Sequence, residues 1–192
     1  MKKAVFFIAI IFIAGFMKLQ AQAEIPKGFS KGTITLSDGT VIAGYIKENI
    51  RGNASVAIIT DADRKKKNYS GNELQAAEID SNRFLCVKGD FFKVVCEGKL
   101  CLLQKSSNAA GKAVYNGSEA MFINDTEGKV NDYFFYDRIQ GQLKLLTKKN
   151  MDETIAGTFS NCAAAIAKAK ESGTDMAVLR QAVEIYNNRN EK

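Results

Sequence analysis

The side chains able to do chemistry in this 192-residue chain are carboxylates, hydroxyls, lysines, tyrosines and four cysteines, and histidine is absent. Without histidine there is no Ser-His-Asp or Cys-His nucleophile, no ordinary catalytic zinc site and no histidine-ligated haem. Two carboxylates, Asp132 and Asp137, flank the run Tyr133-Phe134-Phe135-Tyr136. Paired carboxylates cleave glycosides when ~5–9.5 Å apart. This pair therefore defines the enzymatic alternative, a histidine-free hydrolase acting on glycans or envelope polymers. Other catalytic signatures are missing: there is no S-x-x-K acylase motif and no G-x-x-x-x-G-K-[ST] phosphate loop. Asn124-Asp125-Thr126-Glu127-Gly128 lacks the alternating ligands of a calcium loop. No catalytic, cofactor-binding or metal-ligating residue is assigned, and no cofactor is expected.

The cysteines Cys86, Cys96, Cys101 and Cys162 allow three full pairings. If Gly98-Lys99 forms a type II′ turn, Cys96 lies opposite Cys101, within the ~4.5–5.5 Å that suits a cross-strand disulfide. If Glu97-Gly98 is the turn, Cys96 faces Lys99 and the bridge is lost. Buried thiols serving as small hydrophobes are the other reading. No C-x-x-C pair supports a redox motif or a zinc knuckle.

Two further segments are candidates for binding. Strand alternation sends Tyr133 and Phe135 to one face and Phe134 and Tyr136 to the other, so core packing of at least one pair is the first reading, and the other pair could line a ligand groove, stay exposed, cover a helix or meet a partner. Arg64-Lys65-Lys66-Lys67 could meet an anion, but Asp61 and Asp63 partly cancel it and a solvated hairpin tip is the preferred reading.

The elements that must position these residues begin after a targeting pattern. Lys2 and Lys3 precede the apolar run Ala4 to Met17, which ends near Ala21-Gln22-Ala23. These are the three parts of a cleavable signal peptide, and the run is short of the ~20 residues of a membrane span. The expectation is a signal peptide over 1–23, no membrane span after cleavage, and a mature chain over 24–192 that is periplasmic or secreted. The excised segment carries three lysines and no acid, so the net charge of +6 falls by three. The remaining +3, with scattered signs, argues against nucleic-acid binding. The absence of tryptophan weakens the case for a sugar-stacking platform.

In the mature chain, Asp38-Gly39 marks a hairpin that sets Leu36 against Val41 and Ile34 against Ala43, with Tyr45 on the same face. A strand pair is expected over Ser55–Thr60 and Lys66–Tyr69. With a turn at Gly89-Asp90, Leu85, Val87, Phe92, Val94 and Cys96 share a face that Cys101 and Leu103 join. Residues 106–118 read as a loop, followed by strands over 120–123, 131–136 and 142–147. Asn150 and Glu153 form a capping-box pattern that starts a helix bearing Phe159, Cys162, Ile166 and Ala169. Ser172-Gly173 breaks it, and Thr174 caps a second helix striped by Met176, Leu179, Val183 and Tyr186. The fold class predicted is α+β: an antiparallel β-rich domain of about eight to nine short strands, then a helical hairpin over about 150–190.

This order of features resembles a family of uncharacterised exported proteins of Bacteroidetes-type bacteria. The G-x-I-x-L-x-D-G-x-x-x-x-G-x-I hairpin is matched by Gly32 to Ile46 and the Tyr-Ser segment by Tyr69 to Leu74. The L-x-x-G-x-x-x-L hairpin corresponds to Val95, Gly98 and Leu102, with valine departing from the pattern. The F-x-x-C helix and final Tyr-Asn correspond to Phe159, Cys162, Tyr186 and Asn187. The resemblance implies this architecture and an exported setting, and brings no activity with it. The functional expectation is a non-enzymatic protein of the cell envelope that binds an envelope ligand or a protein partner, or has a structural role.

Overall fold

The computed structural model describes residues 25–108, 113–116, 119–122, 126–173 and 175–189. The signal-like segment 1–23 and Thr174 lie outside them. Twelve strands are described: β1 Ser30–Leu36, β2 Val41–Asn49, β3 Ser55–Ile59, β4 Lys66–Ser70, β5 Leu74–Ile79, β6 Asn82–Val87, β7 Asp90–Cys96, β8 Leu100–Lys105, β9 Ala113–Asn116, β10 Glu119–Phe122, β11 Tyr133–Asp137 and β12 Gln142–Leu145. Four helices accompany them: α1 Ile50–Asn53, α2 Met151–Thr158, α3 Ala163–Lys170 and α4 Met176–Asn187.

Ten strands form one antiparallel sheet in the order β12-β11-β8-β7-β6-β5-β1-β2-β3-β4, and β9 pairs with β10 separately. The layout is α+β, with ten strands in the main sheet where eight or nine were expected. Among the described residues no helix is long and apolar enough to cross a membrane.

The connection from β4 to β5 shows that this sheet rolls up. Three strands lie between them in the order, so a flat sheet would hold them ~19 Å apart at ~4.8 Å per strand. The link from Ser70 to Leu74 spans at most ~14 Å. The strands must therefore curl until β4 returns to β5. Gly71 closes the roll: its N–H donates to Ala54 O at 3.1 Å, it bridges to Gly89, and a Cβ there would strike the Gly89 carbonyl. Inside the roll sit Ile34, Ile46, Val56, Ile58, Phe84 and Phe91.

The other end of the sheet is covered on one face by the C-terminal helices. Leu102 and Phe135 meet Ile155, Phe159, Leu179 and Val183 there, and Phe159 contacts the rings of Phe135 and Tyr186 at 5.5 and 5.2 Å. The opposite face holds Leu85, Phe92, Cys101, Leu103 and Phe134, with Phe92 edge-on to Phe134 at 5.2 Å.

Several expectations need correcting, and each correction traces to a local count of residues. In the first hairpin, Leu36 N donates to Thr40 O, Gly39 lies at φ +86°, and Thr35 faces Val41 with Ile34 facing Ile42. The loop is thus Ser37-Asp38-Gly39, three residues with a left-handed glycine rather than two. A one-residue slip inverts the faces: Ile42 and Ile46 turn inward and Val41 is 63% exposed. The turn between β6 and β7 is Lys88-Gly89, both at positive φ, so Asp90 begins β7 instead of lying at the tip. This is a two-residue change in pairing sum, so the shared face of Leu85, Val87, Phe92 and Val94 survives.

β5 was not anticipated, because Leu-Gln-Ala-Ala-Glu-Ile is made of helix formers that tertiary pairing overrides. Part of the loop expected over 106–118 is strand β9. The first helix is broken in two: Cys162 N donates to Phe159 O, α3 restarts after Cys162, and the helical hairpin becomes three helices. Asn150 makes no side-chain cap to α2. Its amide instead accepts from Thr147 N at 2.8 Å and donates to Leu145 O at 2.9 Å. Asp175 caps α4 by accepting from Ala177 N at 2.8 Å.

Candidate functional site

The predicted candidates fall in separate places. Tyr133 and Phe135 join the helix-side core, while Phe134 and Tyr136 join the opposite face. Phe134 and Phe135 are both buried, so the four aromatics are divided between two cores and do not form one ligand face. Asp132 and Asp137 stand at the two ends of β11, separated by a strand ~16 Å long. Asp132 Oδ2 accepts from Lys129 N at 2.7 Å, and Asp137 Oδ1 accepts from Ile139 N at 2.8 Å and Gln140 N at 2.9 Å. Each carboxylate organises its own turn, and the spacing needed for glycoside cleavage is not met by this pair.

Of the two readings, the bridge between Cys96 and Cys101 does not form, and all four cysteines are free. A bulge at Val95 sets Cys96 opposite Leu102. Cys96 consequently faces the helices while Cys101 faces the other core. Burial raises the pKa of both thiols, and that of Cys86 is pushed up to about 12. Such thiols are poor nucleophiles. In the basic run, Lys67 pairs with Asp63 at 2.9 Å on an exposed surface. Lys66 and Lys67 belong to β4, the last strand in the sheet order, where charge discourages edge-to-edge association.

A buried polar cluster was missed. The side chains of Lys105 and Asp90 are 0% and 1% exposed, with Nζ 3.3 Å from Oδ2. Lys105 Nζ also donates to the carbonyls of Thr126, Glu127 and Gly128 at 2.7, 3.1 and 3.2 Å. Asp90 accepts from Ser107 Oγ at 2.9 Å and from Thr126 Oγ1. Ser107 Oγ in turn accepts from Phe91 N at 2.8 Å. The three carbonyls and the carboxylate hold an ammonium ion, whose nitrogen has no lone pair to attack with. The cluster ties the segment 126–128 to β7 and β8, and its chemistry is structural. Its residue types gave no signal, because Asp90 looked like a turn residue and Lys105 like the end of a strand.

The residues that do converge lie where the β11–β12 turn meets the helices. Asn187, at the end of α4, donates through Nδ2 to Leu100 O at 2.8 Å and accepts through Oδ1 from Leu100 N at 3.0 Å. Its amide thus completes the edge of the β7–β8 turn as a strand would. Gly98 allows the approach, since any Cβ there would collide with the Asn187 side chain. Arg138 N donates to Lys99 O at 3.0 Å, and Glu97 accepts from Arg138 Nη1 at 3.0 Å and Arg83 Nη1 at 2.6 Å. Two hairpin turns and a helix end are locked together.

Between them lie two cavities of about 190 and 220 Å³ that share Leu100, Asp137, Gln140 and Tyr186 as walls. They form one cleft on an apolar base of Leu100 and Phe135. The first half adds Lys99, Ile139 and Arg189; the second adds Gln142, Lys144, Thr158, Ser160 and Asn161. Arg189 stacks on Tyr186, its guanidinium carbon 4.1 Å from the ring centroid, and its Nη2 donates to the Tyr186 hydroxyl at 3.3 Å. Arg189 Nη1 and Thr158 Oγ1 are shielded from solvent without a hydrogen-bond partner. Buried polar atoms are seldom left in that state. Among the described residues no group of three or more carboxylates or thiols is placed to hold a metal ion.

Of the sequence candidates, only Asp137 and Phe135 reach this cleft. Gly98, Leu102, Phe159, Cys162, Tyr186 and Asn187 gather at the same seam between helices and sheet. Compared with known proteins, the chain matches no family model, no curated protein and no solved structure.

Proposed function

We propose that this chain is an exported, non-enzymatic protein of the cell envelope that binds a small polar ligand in the cleft between the β11–β12 turn and the helices. One observation carries the reading: Asp137, Gln140, Ser160, Asn161 and Arg189, from separate turns and helix ends, line one cleft on an apolar base of Leu100 and Phe135. The walls are side-chain amides, hydroxyls and charges on an apolar base, the composition of a site that orients a ligand. The base is rigid because the Asn187 clamp and the Glu97 ion pairs fix the surrounding turns. Export is supported by the charged start, apolar run and small-residue end of residues 1–23.

Native mass spectrometry of the protein recovered from its own cells tests both parts. The expected species begins at Glu24 and carries a non-covalent small molecule, which Ser160→Trp, filling the cleft from its exposed rim, removes. A chain that retains Met1 refutes export. A ligand-free chain, or a ligand retained by the tryptophan variant, refutes the cleft.

A further inference from the structure

We infer that the free edge of β12, with the groove between it and α2, is a docking surface for an extended peptide segment of a partner protein, one with a single acidic residue between two apolar ones. The inference does not rest on the ligand cleft, with which this groove shares only Lys144 and Gly157. β12 is the last strand of the sheet at the helix-covered end, so one of its edges has no neighbour in the sheet. Leu146 N donates to Tyr133 O at 2.8 Å, which fixes the alternation. The backbone groups of Gln142 and Lys144 turn toward β11, and those of Leu143 and Leu145 turn outward. The outward Leu145 carbonyl accepts from Asn150 Nδ2 at 2.9 Å, and Thr147 N donates to Asn150 Oδ1 at 2.8 Å. This carboxamide stands where the peptide group of a further strand would stand, and shows what the edge accepts. Beyond it, Leu143 N–H, Leu143 C=O and Leu145 N–H have no partner among the described residues.

These groups face a groove of about 650 Å³, walled by Asn150, Glu153, Thr154 and Gly157 on the α2 side and by Glu127. Gly157 keeps the helix wall low. Nothing lies within 4 Å of where its Cβ would be, and its φ is not left-handed, so neither packing nor backbone conformation calls for glycine there. A glycine inside a helix is destabilising relative to alanine, and what it provides here is room along the strand edge.

An edge of unpaired N–H and C=O groups is complementary to another main chain in extended conformation. Side chains of the added strand alternate between the two faces. Two of them meet Leu143 and Leu145, which are half-buried over the core of Phe92, Leu103 and Phe134. The one between them meets Lys144, an exposed cation with no ion pair among the described residues. Lys144 also weighs against a second copy of this chain. The antiparallel register that uses the outward groups of both leucines in each copy sets Lys144 directly opposite Lys144, and like charges there are destabilising. An acid at that point turns the repulsion into attraction, while Glu127 and Glu153 on the walls disfavour a strand that is acidic throughout.

The test is a titration of the full chain followed by heteronuclear NMR, with three peptides as probes. These are acetyl-Thr-Val-Asp-Val-Thr-amide, the same peptide N-methylated at its three central residues, and acetyl-Thr-Val-Lys-Val-Thr-amide. The expected result is saturable movement of the Leu143 and Leu145 amide signals with the acidic peptide, slower hydrogen exchange at both, and no effect of the methylated one. The acidic peptide should bind about threefold or more tightly than the basic one, and Lys144→Glu should reverse that order. Absence of saturation in the millimolar range, equal binding of the methylated peptide, an unchanged preference in Lys144→Glu, or signals that move at β4 instead each overturns the docking surface. Protection of Leu143 and Leu145 that grows with protein concentration in the absence of peptide assigns the edge to a second copy, and overturns it as well.

Discussion

Removing either partner of the Lys105–Asp90 pair should be among the most destabilising single changes available in this chain. Both side chains are excluded from water, so Lys105→Met takes the ammonium from a carboxylate in the interior and withdraws the donor from the carbonyls of Thr126, Glu127 and Gly128. Asp90→Ala leaves the ammonium without its counter-ion and takes the acceptor from Ser107 and Thr126. Breaking a buried pair from one side costs ~3–5 kcal/mol. The unmet carbonyls place Lys105→Met toward the upper part of that range, against a total stability of ~5–15 kcal/mol for an ordinary domain. The double variant should lose less than the sum of the singles by ~2 kcal/mol or more, because no lone charge remains. Equilibrium urea unfolding reads all three, followed by circular dichroism because the chain has no tryptophan. Asp90→Asn keeps the shape and provides a milder point on the same scale. Losses of under ~1 kcal/mol in the singles, the magnitude of a solvent-exposed ion pair, or strict additivity in the double, would refute the reasoning.

Two other outcomes are expected. Asn187→Ala removes both bonds to the Leu100 backbone and should lower stability by ~2 kcal/mol while speeding hydrogen exchange at the Leu100 amide; unchanged exchange there would mean that the helix end does not clamp the turn. Burial raises the Cys86 thiol from 9.0 to about 12, so the unfolded chain loses this proton at lower pH than the folded one. Its contribution is complete below pH ~9 and drains as pH rises toward about 12. The fall in urea midpoint between about pH 8.5 and about pH 10.5 should therefore be smaller in Cys86→Ala than in the parent, and an equal fall would contradict the burial of the thiol.

What the sequence determined by itself was what depends on near neighbours. Period-two alternation and turn residues marked the strand pairs around Asp38-Gly39 and over Arg83 to Gln104, and helical spacing marked the stripe of Leu179 and Val183, because those signals arise within a few residues of chain. Absent histidine limited the chemistry whatever the fold. Tertiary structure decided register, and with it which side chains meet. One extra loop residue at Ser37-Asp38-Gly39 exchanged Val41 for Ile42 in the core, and one bulged residue at Val95 sent Cys96 and Cys101 to opposite faces. A side chain changes face with every residue of slip, and local propensity hardly distinguishes a two-residue loop from a three-residue one. The cleft lies further still from the reach of pattern, since Lys99, Asp137, Thr158 and Arg189 come from four separate turns and termini that meet only after the helices dock. Lys105 and Asp90 face one another for the same reason: burying a charge becomes tolerable only once the carbonyls of 126–128 arrive to surround it.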